Sequence, residues 1–109
     1  MFVDTQVRPQ GEQVDAVAPM KLSEAIRIGA RLRPQELRGH YFLDGRSCAL
    51  GAAFEALGIS SEAKLDLHAW STLKERYSLP QTLHHEITSR NDRGQSRESI
   101  ADWLEAQGL

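Results

Sequence analysis

The 109-residue chain carries 13 lysines and arginines against 15 aspartates and glutamates, a formal net charge of −2. That balance lacks the basic excess of an electrostatic nucleic-acid binder, and 40% hydrophobic with 26% charged residues describes an ordinary globular chain of one-domain length. Cys48 is the single cysteine, so no internal disulfide forms and the expected address is a reducing cytoplasm.

Residues 1–19 hold Pro9, Gly11 and Pro19 among scattered apolar positions. Without a period they read as a flexible N-terminal arm, ahead of one helical domain over 20–109. The stretch to Met20 has no basic segment followed by an apolar one, so no secretory signal is expected. No apolar run approaches the roughly 20 residues that span a bilayer, so no membrane association is expected.

The first helix is predicted to start at an N-cap on Ser23, with Glu24 complementing the dipole. Leu22, Ala25, Ile26, Gly29 and Leu32 form its apolar face, and Pro34 stops it. His40, Tyr41, Phe42 and Leu43 favour an extended segment, and Asp44-Gly45 signals a turn. No second strand is expected after that turn. The residues from 47 to 57 read as a helix capped by Ser47 and ended by Gly58. Its apolar and small residues run nearly all round, which predicts a buried helix at the centre of the fold.

A third helix is predicted from Ser60 or Ser61 to Tyr77, with Ala63, Leu67, Trp70, Leu73 and Tyr77 inward. Pro80 opens a fourth, carrying Leu83 and Ile87, to about Arg90. Asn91, Asp92, Arg93, Gly94 and Gln95 read as a polar turn. Ser96 caps a last helix that packs Ile100, Trp103 and Leu104 and ends at Gly108. The expected fold is therefore all-α, a compact bundle of four to five short helices around a central small-residue helix.

Four stretches carry a resemblance: Lys21 to Arg27, Ser47 to Ala53, Asn91-Asp92, and Ser96 to Leu104. In that order they resemble a group of small bacterial and phage helical proteins, over about residues 20 to 105. The resemblance implies a helical fold and a prophage origin, and no activity. Some members carry a Cys-Pro-x-Cys-like insertion before the Asn-Asp turn; this chain has none, so no metal role carries over.

Several residues look chemical. Cys48, at a helix start with His40 and Arg46 nearby in sequence, is a candidate nucleophile with His40 as its base. The apolar residues that follow Cys48 favour a core thiol instead. His84, His85 and Glu86 lack the three- or four-residue spacing that puts two metal ligands on one helix face, and neither a metal nor a cofactor is predicted. Gly94 to Ala101 looks like the first helix of a helix-turn-helix. The sequence runs only to Leu109, however, leaving little room for a recognition helix, and Glu98, Asp102 and Glu105 would repel phosphates.

Asn91, Asp92, Arg93, Arg97, Glu98, Asp102 and Glu105 are the candidate binding surface. Asn91 and Asp92 also suit a purely structural turn. The acidic stripe reads as a solvated face, as a dock for a basic partner, or as a match for the chain's own Arg27, Arg31, Arg33 and Arg38. The expected function is a non-enzymatic protein-interaction or regulatory module whose partner is another protein. A small enzyme using Cys48 and a nucleic-acid binder using the Arg27, Arg31, Arg33 and Arg38 face are the alternatives.

Overall fold

A computed structural model describes residues 20–59 and 67–109. The arm expected over 1–19, the third helix's start at Ser60 or Ser61, Ala63 and the side chain of Leu67 lie outside the described residues. The described chain is mainly helical, with one short hairpin.

Helix α1 spans Leu22–Ala30 and begins at Lys21, not at Ser23. The Lys21 N–H donates to Glu24 Oε1 at 3.0 Å, the reach-back half of a capping box at the helix start. Ser23 is buried in the first turn, where its backbone N–H and Oγ both donate to the Leu109 carbonyl. The helix ends four residues ahead of Pro34. Leu32, expected on its inner face, falls in the following turn and is 57% exposed.

The chain then makes the hairpin that was not expected. Strands β1 (Phe42–Leu43) and β2 (Arg46–Ser47) pair antiparallel, Phe42 opposite Ser47. Asp44 and Gly45 both have positive φ, 52° and 74°, as a two-residue hairpin turn requires. Ser47 was expected to cap the next helix. Instead its N–H donates to the Pro34 carbonyl, and its own carbonyl accepts from Glu36 N–H at 2.8 Å.

Helix α2 (Ala49–Leu57) is capped by Cys48, whose Sγ accepts from Gly51 N–H, and closed by Gly58 in the left-handed region at φ 71°. Residues 49 to 54 are all buried. Glycines permit its close neighbours. A Cβ on Gly29 of α1 would overlap the Ala52 carbonyl, and one on Gly51 would overlap that of Tyr41.

Helix α3 (Leu67–Tyr77) buries Ala69, Trp70 and Leu73, and Tyr77 Oη donates to the Met20 carbonyl. Helix α4 (Gln81–Asp92) starts after Pro80, which is its N-cap, and buries Leu83, Ile87 and Asn91 at four-residue spacing. Asn91 and Asp92 are thus the last turn of a helix, and the bend falls at Arg93 and Gly94. Helix α5 (Arg97–Glu105) is capped by Ser96 Oγ, which accepts from Ser99 N–H, and buries Ile100, Ala101 and Leu104. α1 packs on α2 and α5, and α4 touches both α2 and α5.

The Gly29 contact yields a stability prediction. Gly29→Ala puts a methyl against backbone that cannot rotate away, so destabilisation by about 1–3 kcal/mol or more is expected despite the gain in helix propensity. A urea midpoint for Gly29→Ala at or above that of the parent protein contradicts the close crossing of α1 and α2.

Candidate functional site

Two of the surface candidates prove to be interior. Asn91 is fully buried and its amide uses all four hydrogen-bonding positions. Oδ1 accepts from Ala49 N–H at 3.0 Å and Gln35 Nε2 at 2.9 Å; Nδ2 donates to the Glu36 carbonyl at 2.6 Å and to Asp92 Oδ1 at 3.1 Å. Arg97, 7% exposed, donates to four acceptors: Ser47 O and Oγ through Nη1, Ala30 O and Arg33 O through Nη2. Neither presents a group to a partner. Their position follows from helix ends: α4 runs on to Asp92, which turns Asn91 inward, and α5 starts at Arg97 above the carbonyls that end α1.

What they hold is the irregular strap of residues 31–39. Glu36, within it, has a side chain only 1% exposed. Burial would raise its pKa, but hydrogen bonds from the Arg38 guanidinium and N–H, with attraction to Arg38 and His40, more than offset this and hold it below the usual carboxylate range. His40 Nδ1 lies 3.9 Å from Glu36 Oε2 and is buried without a hydrogen-bond partner.

Cys48 and His40 line one cavity of about 130 Å³ between the hairpin and α4, together with His84, Thr88 and Asp92. Burial pushes the Cys48 thiol up to about 11, and the Asp92 charge adds to the rise; the amides of Gly51 and Leu50 lower it by less. The helix start therefore does not deliver a thiolate at neutral pH, and the nucleophile reading loses its main physical support. The Tyr41 hydroxyl and His84 Nε2 share a 2.9 Å hydrogen bond. The His84 ring stands edge-on to Trp70 with centroids 4.8 Å apart. Burial first, and neighbouring His85 second, lower the His84 pKa. Among the described residues no cluster of three or more His, Cys, Asp or Glu is placed to hold a metal ion.

His84, Thr88 and Asp92 were not read as one set, although their four-residue spacing puts them on one face of α4. The signal was in the sequence, but ending the helix at Arg90 concealed it.

The arginines do not form a common face. Arg27 reaches α5, bonding Glu98 at 3.0 Å, Asp102 at 2.6 Å and Glu105 at 2.7 Å. Its hydrogen bonds to Asp102 and Glu105 raise the guanidinium's pKa. Arg33 pairs with Glu55, and Arg38 with Glu36 and Asp44. Among the described residues Arg31 pairs with no carboxylate. Arg93 is exposed and donates to Ser89 Oγ. The stripe of Glu98, Asp102 and Glu105 stays more than half exposed even with Arg27 in its midst.

No protein-family model, curated protein or solved structure matches the chain. Any functional reading stands on its own residues.

Two predictions follow from the buried groups. Asn91→Ala orphans the Ala49 N–H and the Glu36 carbonyl, each at about 1–3 kcal/mol, so a total loss of about 2–5 kcal/mol is expected in chemical denaturation. A loss below about 1 kcal/mol contradicts the network. His84 has a folded pKa below its unfolded 6.5, so the unfolded chain takes up the proton first as pH falls. Stability is then full above 6.5 and declines on acidification below it. His84→Gln should flatten that decline when urea midpoints are compared between about pH 7.5 and about pH 5.5; an unchanged slope would show that His84 is not the linked group.

Proposed function

We propose that the chain is a non-enzymatic protein-interaction module that docks a short acidic segment with one large apolar side chain on the strap of residues 31–39. The observation that carries this reading is that the exposed large hydrophobics of the described residues, Leu32 at 57% and Leu37 at 47%, both lie on that strap. An exposed large apolar side chain beside charged ones supports a binding role for that segment.

Leu37 borders a shallow depression of about 350 Å³ with Gln35, Glu36, Arg38 and Arg46 along its sides, the Glu36 carboxylate being paired with Arg38. With Arg33 paired to Glu55 and Arg38 to Glu36 and Asp44, Arg31 and Arg46 are the arginines of residues 31–46 that pair with no carboxylate among the described residues. This positive balance argues for an acidic partner. Asn91 and Arg97 fix the strap backbone from beneath, so little ordering entropy is lost on docking. The raised Cys48 thiol weighs against the enzyme reading. Dispersal of Arg27, Arg33 and Arg38 onto separate carboxylates weighs against nucleic acid.

The same proposal takes the helices as a bundle around α2, supported by its run of buried residues and its contacts with α1 and α4. It places the protein in the cytoplasm on its lone cysteine, and keeps the prophage origin that the resemblance suggests. No described helix is long and apolar enough to cross a membrane.

Fluorescence anisotropy with short peptides bearing one Phe or Leu among Asp and Glu tests the docking. Saturable binding is expected, weakened about tenfold or more by Leu37→Ser or Arg31→Glu and by added salt. Both variants alter exposed side chains, so their melting temperatures should stay with the parent's. Absence of saturable binding, or equal affinity for lysine-containing versions of the peptides, overturns the proposal.

A further inference from the structure

The cavity between the hairpin and α4 has a chemistry that the strap does not use. Its volume of about 130 Å³ compares with an engineered protein cavity of about 150 Å³ that admits benzene. It therefore has room for a compact molecule of roughly that size. Its walls are specific in what they offer. Asp92 is exposed at the mouth, and its Oδ1 accepts from Asn91 Nδ2. A side chain on Gly39 would begin 3.7 Å from Asp92 Oδ2, so the bare glycine forms the lip beside that oxygen.

Most carboxylates near arginines in this fold are paired with them. Glu36, Asp44, Glu55, Glu86, Glu98, Asp102 and Glu105 each have an arginine partner, whereas Asp92 pairs with no cation among the described residues. The Thr88 hydroxyl donates to the His84 carbonyl at 2.9 Å, which leaves its oxygen free to accept. His84 has its pKa lowered and Cys48 its pKa raised, so both stand neutral at pH 7. The cavity thus has an uncompensated carboxylate and a hydroxyl acceptor, beside the faces and edges of Tyr41, His40 and His84.

Charge decides between ligand classes. An anion would meet the Asp92 carboxylate with no lysine or arginine in the lining to offset it. A neutral apolar molecule would strip water from the carboxylate and return nothing. A planar cation with paired N–H donors matches a carboxylate in fork geometry and is attracted to aromatic faces. We propose that this cavity is a binding site for a small planar nitrogen cation of the amidinium or guanidinium class, held by Asp92 and Thr88 against the Tyr41–His84 wall. The site does not rest on the peptide-docking reading and stands whether or not a peptide docks on the strap.

Titration of the isotope-labelled protein with methylguanidinium and acetamidinium, followed by amide chemical shifts, tests the assignment. Saturable shifts centred on Gly39, Thr88 and Asp92 are expected. Asp92→Asn keeps an acceptor for Asn91 but removes the charge; it should weaken binding at least about tenfold, in line with loss of a charge-assisted pair, at an unchanged melting temperature. Thr88→Val, which leaves the Asn91 network alone, should weaken it several-fold and serves if Asp92→Asn is poorly folded. His85→Gln, on an exposed neighbour that does not line the cavity, should bind as the parent does. Shifts that fail to saturate, equal binding of acetate or of neutral acetamide, or full affinity in both Asp92→Asn and Thr88→Val overturn the proposal.

Discussion

The rest of the structure depends on a buried side-chain amide. Asn91 Oδ1 receives the first N–H of α2 at Ala49, while Nδ2 holds the Glu36 carbonyl of the strap. Helix starts carry amides with no intrahelical partner, and strap backbones carry carbonyls that no ladder satisfies. Burying both is tolerable only because one amide serves them together. Arg97 does the same on the other side of the strap, collecting the carbonyls of Ala30, Arg33 and Ser47. An irregular segment thereby has backbone groups anchored by buried side chains. Its two leucines are then free to face outward, because its backbone polar groups already anchor it inward.

This arrangement explains what was legible in the sequence and what was not. Signals settled by near neighbours were readable. Ser96 caps α5, Gly58 ends α2 in the left-handed region, and Asp44-Gly45 makes a turn. Signals settled across the chain were not. Ser23 and Ser47 both look like caps, but one is taken by the carbonyl of Leu109 and the other by Pro34, Glu36 and Arg97. The hairpin rests on two-residue strands, too short for alternation to register, and on the strap alongside it. Asn91 and Asp92 have the composition of a turn, but the helix runs through them and Asn91 finds its partners across the chain. Of the candidate site, Cys48, His40 and Asp92 were named from sequence, though for separate reasons. His84 and Thr88 join them only once α4 is given its full length.

Charge follows the same logic. Six basic residues between 20 and 46 suggest a positive face when counted along the chain. In three dimensions Arg27 crosses to α5 and Arg33 to α2, so two of those charges are spent on tying helices together. Exposed pairs of this kind contribute little to stability individually, but they set which charges remain available. The acidic stripe keeps a surplus of carboxylates around Arg27, and the strap keeps Arg31. Opposite signs therefore sit on different parts of the surface although the net charge is small.

The last turn of α4 links the two candidate sites. Successive helical side chains point about 100° apart, so Asn91 and Asp92 leave the helix in different directions. Asn91 goes under the strap, and Asp92 goes to the cavity mouth. The bond from Asn91 Nδ2 to Asp92 Oδ1 joins them at 3.1 Å, and Glu36, whose carbonyl Asn91 also holds, faces His40 of the cavity wall. A cation that draws the Asp92 carboxylate would pull on the same amide that positions the strap. Because Asn91 has no spare hydrogen-bonding capacity, that pull cannot be absorbed by a new partner. The cavity mouth and the strap are therefore held by one fully used amide, and Gly39 brings the strap itself to the cavity lip.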